Sequence, residues 1–424
     1  MRHLYTGLFY ALVPFLYLRL LIKGRKQPGY LQRISERFGY YAKASLSPSI
    51  RPLWIHAVSV GECEAVFPLV KRLLSHADCP PLLMTCTTPT GSQRIQEVLG
   101  SRVLHVYLPY DLPVAVAGFL RHFNPRAGVI VETEIWPNLF YGCKQKEIPL
   151  AIINGRLSLN SLKGYQRLGR VMHDILAAVR ILATQTQEDA DRYLAAGAPP
   201  ERLRVAGNIK FDIAFDEAME EEALHLRAAL FGQRPVWIAG STHPGEEAIL
   251  LEAHRAIRVQ HPEAVLVLAP RHPERAQEVV SLIAQQGESV TLRSEGTSLK
   301  ATDSVFLIDG VGELKRFYGA ADVAFLGGSL IPHGGQNPLE AQIAGRPVLF
   351  GPFMMNFKSI ARTILEEQTG REVSDAQELA TQVLMLLDHP ADAGAMGERG
   401  RAFVKANQGA LDRIESLITR DLMA

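Results

Sequence analysis

The chain has 424 residues, 47% of them hydrophobic, which is enough for two or three domains with ordinary cores and too apolar for global disorder. Its 45 basic and 44 acidic residues leave a net charge of +1, which excludes a general basic field for nucleic acid and assigns any anionic ligand to a local cluster. Cys63, Cys79, Cys86 and Cys143 form neither a C-x-x-C pair nor a zinc spacing, and read as reduced cytosolic thiols.

The first element is an apolar run from Leu4 to Leu18, trailed by Arg19, Lys23, Arg25 and Lys26. It is shorter than the about 20 residues of a bilayer crossing, contains Pro14, and lacks the cleavage site of a signal peptide. Its three tyrosines and the basic residues behind them suit an interfacial segment on an anionic cytoplasmic leaflet. The alternatives are a first helix buried on the protein, and a transmembrane anchor extended through Leu20 to Ile22.

Short apolar runs then alternate with helical patterns. PLWIHAVSV, PLLMTCTT, RVLHVYLPY, AGVIVETEIW, PLAIIN and RILATQT read as buried strands, and PVWIAGST, AVLVLAPR, SVFLIDG, VAFLGGS and RPVLFG repeat the style. The alternation predicts an α/β chain of two doubly wound parallel sheets covered by helices. Val205 to Glu222 turns acidic and reads as the connection between them. Ligand sites at the carboxyl ends of both sets of strands would create a deep cleft between the domains. The expected divisions are 1–26 for the membrane-associating segment, 27–208 and 209–375 for the two Rossmann-like domains, and 376–424 for closing helices that pack back on the first.

The strand ends are rich in polar residues. After the first strand come Ser59, Gly61 and Glu62, an acid in the first turn of a helix. At a cleft, such a carboxylate can take a proton from a substrate hydroxyl if its pKa is raised toward the working pH. Glu132 and Glu134, placed on one face by a strand, can raise it. Thr88, Arg156, Ser241 and His272 stand at other strand ends as further candidates. GGSLIPHGGQNPLEA reads as a nucleotide-binding turn, with six glycines in the longer stretch to Gly351, Asn337 as cap, Pro338 at the first helical position, and backbone N–H groups exposed to an anion. Glu340 is either the third member of a capping box or a hydrogen-bond partner for ribose. Arg271, His272 and Arg275 can clamp an anionic group or begin a solvated helix. Lys210, in the connection, can reach charge developing on a leaving phosphate. GSTHPGEE has Glu246 and Glu247 where a P-loop needs Lys and Ser/Thr, no G-x-S-x-G elbow exists, and Asp189 and Asp191 lie on a helix capped by Thr186, which does not put them on one face.

WIHAVSVGE, TPTGSQR, VETEIWPN, NGRLS, GNIKFD, APRHPER, GVGELKRFYGAAD and GGSLIPHGGQNPLEA together resemble, in order and phrasing over nearly the whole chain, the bacterial 3-deoxy-D-manno-octulosonic acid (Kdo) transferases. The resemblance implies a GT-B glycosyltransferase with acceptor on the first domain and CMP-Kdo on the second. It implies metal-independent, inverting transfer of Kdo, without a cofactor, to the lipid A precursor lipid IV-A. The setting it implies is the cytoplasmic face of the cell inner membrane, in lipopolysaccharide biosynthesis. By position, Glu62 matches the general base, and Glu132 and Lys210 match residues credited with stabilising the transition state. CMP contacts fall on Pro270, Arg271, Val311, Gly312, Glu313, Asn337, Pro338, Leu339 and Glu340. Two rivals keep parts of this picture: a sugar-nucleotide epimerase on the same architecture, and a non-catalytic nucleotide-binding membrane adaptor.

Overall fold

The computed structural model describes residues 2–42, 50–296, 299–300 and 302–423, without the side chains of residues 2, 3 and 26. Lys26, the last of the basic residues behind the apolar run, therefore lies outside the described side chains, as do the two terminal residues of the expected domain spans. The chain forms two units, 1–212 with 408–424, and 213–407.

In the first unit seven parallel strands run in the order β3-β2-β1-β4-β5-β6-β7: β1 (Leu53–His56), β2 (Leu82–Cys86), β3 (Leu104–Tyr107), β4 (Ala127–Val131), β5 (Leu150–Gly155), β6 (Val179–Thr184) and β7 (Leu203–Val205). Leu53 to His56 of β1 face Leu82 to Thr85 on one side and Ala127 to Ile130 on the other, so the strand order reverses at β1. Both faces of the sheet are covered, which is why its inner strands are unbroken apolar runs rather than alternating ones. One face packs Ile55, Val129 and Ile153 against Val66, Val70 and Ile414; the other packs Trp54 and Ile130 against Phe119 and Phe140.

The second unit repeats the plan with β8 (Val236–Thr242), β9 (Val265–Pro270), β10 (Val290–Leu292), β11 (Val305–Leu307), β12 (Val323–Leu326), β13 (Val348–Phe350) and β14 (Gly370–Glu372), in the order β10-β11-β9-β8-β12-β13-β14. All its pairings are parallel, and the order reverses at β8.

The observed divisions differ from the expected ones in two places. The first unit reaches Asp212 because Asn154 Oδ1 accepts from the Ile209 N–H at 3.2 Å and the Asp212 carboxylate accepts from the N–H groups of Gly409 and Leu411 at 2.5 and 2.7 Å. The closing segment is divided. Helices Ala376–Asp388 and Pro390–Ala406 bury Leu379, Val383 and Met396 in the second core, and only residues from 408 onward return to the first. The strands the apolar runs do not announce, β7, β10 and β14, are each three residues long and each lie at a sheet edge.

Before β1 lies a helix, Arg2–Lys26, the one described helix long and apolar enough to cross a bilayer by length and composition.

Candidate active site

Ligands of open parallel sheets bind beyond the carboxyl ends of strands where the strand order reverses. In the first unit that place is the end of β1 and β4, and it holds Glu62 and Glu132. Ser59 caps the helix Val60–Ser75, its Oγ accepting from the Glu62 N–H at 3.4 Å. The Glu62 side chain returns the contact, accepting from the Val58 N–H at 2.8 Å and from the Ser59 hydroxyl at 3.0 Å. This is a variant of the capping box, written in the sequence as Ser59-x-x-Glu62, in which the glutamate reaches the N–H of the residue before the cap rather than that of the cap itself.

A carboxylate so bound should be acidic, yet burial pushes Glu62 up to about 7, against the opposing bonds from Val58 and Ser59 and with the help of the charges of Glu132 and Glu134. Desolvation is the largest of these effects and decides the direction. Glu134 is itself raised by burial, opposed by a 3.0 Å bond from the Trp136 indole N–H.

The two neighbouring acids do not share a face of β4, as the alternation of a strand would place them. β4 ends at Val131, and Glu132 follows in the left-handed region with φ +61°. The turn, rather than the strand period, brings them to Glu62. Non-glycine residues held in this region cost of order 1 kcal/mol or more and concentrate at functional sites. Lys210 Nζ stands 3.6 Å from Glu132 Oε1, in the turn Ile209–Phe211. The pair belongs wholly to the first unit.

Asn154, to which sequence reasoning gave no role, builds that turn. It is fully buried, has φ +53°, and sits where the pairing of β5 with β6 shifts register. Its Oδ1 receives the Ile209 N–H, and Asn208 Oδ1 receives the Lys210 N–H at 3.0 Å. A polar residue ending a buried apolar strand is the signal that could have found it.

Thr88 is the cap of helix Pro89–Leu99, its Oγ1 accepting from the Gly91 N–H at 3.1 Å. Arg156 is exposed and tied through its backbone N–H to Thr133 Oγ1 at 3.3 Å. Asp189 caps the loop at Leu157, accepting its N–H at 2.9 Å, and Asp191 accepts from Gln187 at 2.9 Å.

In the second unit the expected nucleotide residues all lie at the carboxyl edge of the sheet. Ser241, φ +58°, marks a register shift between β8 and β9 that parallels the one at Asn154. Pro270 ends β9, and the Arg271 N–H bonds Thr242 O at 2.9 Å while its side chain is exposed. Arg275 is not available as an anion clamp, because it pairs with Glu247 and Glu278, each at 2.8 Å. Exposed His272 lies with its ring 6.2 Å from that of His243, which in turn stacks on His333 at 4.3 Å. Burial and the positive neighbours hold His243 down at about 4.

Val311 is 83% exposed, Gly312 has φ +84° with open space about it, and Glu313 accepts from Arg293 at 3.1 and 3.2 Å. Asn337 Oδ1 accepts from the Leu339 N–H at 3.1 Å, before the short helix Leu339–Ile343 that carries Glu340 and follows Pro338.

The glycine-rich loop itself does not offer all its donors to a ligand. The N–H groups of Gly328, Ser329 and Leu330 are taken by the carboxylate of fully buried Glu246, at 2.7, 3.1 and 3.1 Å. The acid that spoils the P-loop pattern thus fills the loop with a charge of the chain's own.

With this geometry in place, residues 32–213 match the family described as 3-deoxy-D-manno-octulosonic-acid transferase, and residues 233–403 match glycosyl transferases group 1. The chain is similar to the 3-deoxy-D-manno-octulosonic acid transferase of Haemophilus influenzae, 37% identical over 98% of each chain. It is likewise similar to that of Bordetella pertussis, 36% identical over 97% of each. The chain belongs to the 3-deoxy-D-manno-octulosonic acid transferase family.

It is accordingly a glycosyltransferase, and its two parallel α/β units are those of the GT-B fold. UDP-GlcNAc 2-epimerase from Neisseria meningitidis shares that fold alone, 14% identical with a TM-score of 0.56 over 88% of this chain and 100% of that one. For this Kdo-transferase family member, the residues that face the reversal of strand order in the first unit are Glu62, Glu132 and Lys210.

Proposed function

We propose that the protein transfers Kdo from CMP-Kdo to a hydroxyl of lipid IV-A, with inversion, at the cytoplasmic face of the inner membrane. Glu62 is the general base. Its deprotonated carboxylate takes the proton of the acceptor hydroxyl as that oxygen forms a bond to the anomeric carbon of Kdo. The bond from that carbon to the phosphate oxygen breaks, and CMP leaves with the electron pair. The observation that carries this reading is the carboxylate raised to about 7 beside a Glu132–Lys210 pair at the reversal of the first sheet. Lys210 supplies positive charge where negative charge is moving, and Glu132 holds its ammonium in place.

The donor side of the proposal rests on Pro270, Arg271, Val311, Gly312, Glu313, Asn337, Pro338, Leu339 and Glu340, carried over by position. Exposed Arg271 is its phosphate or carboxylate partner. Arg271 can neutralise a single leaving phosphate without a metal. The apolar helix Arg2–Lys26 favours a lipid acceptor over the soluble substrate of an epimerase.

The test is purified protein with CMP-Kdo and lipid IV-A, read by mass spectrometry. A product heavier by one or more Kdo units is expected, and its mass counts them. Folded protein that yields no Kdo-bearing product overturns the proposal. Loss of transfer in Glu62→Ala with CMP binding retained rejects the non-catalytic adaptor.

A further inference from the structure

Two histidines that the sequence patterns leave without a role meet at the carboxyl edge of the second sheet. His243 follows β8 and is 9% exposed, whereas His333 lies in the glycine-rich loop after β12 and is open to solvent. Their rings stack, with centroids 4.3 Å apart and planes 11° from parallel. Gly328, at φ +66°, permits that approach: a Cβ there would stand 3.0 Å from His243 Cδ2 and 3.4 Å from His333 Cβ. The loop keeps this shape through the Gly335 N–H on Gly328 O and the Asn356 N–H on Gly334 O, each at 2.9 Å. Gln336 Nε2 lies 3.0 Å from His243 Nε2 and fixes the buried ring.

The surroundings of the stack suit an anion. His333, His272, Arg271 and Arg275 are the groups whose charge acts on His243, in that order. The acids close by are already engaged: Glu246 by the three loop N–H groups, Glu247 by Arg275, and Glu274 at 3.5 Å from His272 Nδ1. Among the described residues neither His333 nor Arg271 is paired with a carboxylate. Two imidazolium rings in face contact repel, so the stack accommodates one charge, and burial keeps that charge off His243. An anion arriving at the stack favours the charged form of the open ring.

The proposed donor brings two anions to one carbon. In CMP-Kdo the anomeric carbon carries both the phosphate ester and the carboxylate of the ulosonic acid, whereas a neutral sugar nucleotide offers phosphate alone. Arg271, set beside the end of β8 by its N–H on Thr242 O, can meet one of the two. We propose that the His243–His333 stack is the carboxylate subsite of the donor, with Arg271 on the phosphate, and that it selects an acidic sugar donor over a neutral one. The inference rests on the CMP-Kdo reading above and specifies how the sugar of that donor is recognised.

The test compares the full chain with its His333→Gln variant, a change at an exposed position. With acceptor saturating, the KM for CMP-Kdo is expected to rise about ten-fold or more, while the Kd for CMP, which has no carboxylate, stays within about two-fold of the parent value. The C1 carboxamide of CMP-Kdo should bind the parent about ten-fold less tightly than CMP-Kdo does, and His333→Gln should erase that difference. His333→Arg restores a cation suited to a carboxylate and should bring the KM back toward that of the parent. A KM unchanged in His333→Gln, or a Kd for CMP that rises in step with it, overturns the inference while leaving CMP-Kdo as the donor. Parent protein that transfers nothing from CMP-Kdo overturns the donor reading itself, and the inference with it.

Discussion

Glu62 sits where opposing effects on one proton can be ranked. Its place in a helix's first turn and its bonds from Val58 and Ser59 favour the charged form, whereas burial and the charges of Glu132 and Glu134 disfavour it, and burial is the largest. At a pKa of about 7 the group is both substantially deprotonated near neutrality and basic enough to accept a proton. The kcat/KM of transfer should therefore rise with pH along a limb centred near 7, and Glu62→Gln should lower it by about 10²–10⁴ and abolish that limb. A pH–rate profile unchanged in Glu62→Gln would assign the base elsewhere. The stability consequence has the opposite sense. The folded pKa lies above the ordinary 4.5, so the group's contribution is full at low pH and is lost as pH rises through about 7. Discounted for partial exposure, Glu62→Gln should be the more stable protein at pH 8 by roughly 1 kcal/mol, visible as a higher Tm, with the advantage gone at pH 4. Asn154 acts at one remove, through the turn that carries Lys210. Asn154→Ala should cost roughly 1–3 kcal/mol of stability and reduce kcat beyond the loss of folded protein while leaving the KM for CMP-Kdo little changed, because the proposed donor residues belong to the other unit. A kcat that returns to the parent value once corrected for the fraction of folded protein would mean that Asn154 serves only folding.

At the scale of elements, the second unit depends on a carboxylate buried on purpose. Glu246 starts the helix Glu246–Gln260 and takes three backbone N–H groups from the loop after β12. Burial raises its pKa and the bonds oppose that. Glu246→Ala leaves those donors unpaired in a dry site and should destabilise the unit by roughly 3–5 kcal/mol, with Glu246→Gln losing less; chemical denaturation followed by Trp237 fluorescence would measure it. The sequence shows an acidic pair at a helix start, but it does not show that one of them reaches a loop 82 residues away. The same limit governs the rest of the fold. Inner strands were legible because burial on both faces demands continuous apolar runs, as in LWIH and VLVLAP. LRV, VTL and GRE were not, because a three-residue edge strand has one neighbour and little to bury. Glu62 was legible from its place after an apolar strand. The left-handed turn at Glu132 was not, since no local pattern marks it and only the surrounding structure imposes it.

On the scale of the molecule, the chain leaves the first unit at Asp212 and comes back at residue 408, and that return is built into the core. Leu411, Ile414, Ile418 and Leu422 are buried with Val66, Val70 and Leu73 of the helix that begins at Glu62's turn. Arg413 Nε donates to Ala206 O at 2.8 Å, and Asp212, two residues beyond Lys210, holds the N–H groups of Gly409 and Leu411. Burying four such side chains contributes roughly 6–12 kcal/mol at about 1.5–3 each, comparable with the whole stability of a domain. Ending the chain at Asn407 should therefore unfold the first unit, although the residues removed are farthest in sequence from β1. The second unit keeps its own core under the same truncation, because Leu379, Val383 and Met396 remain. Hydrogen exchange read by mass spectrometry should show protection lost across β1 to β7 and retained across β8 to β14, with transfer abolished and CMP binding preserved. Retained protection in β1 to β7 would show that the returning helix is an accessory to the first unit rather than part of its core.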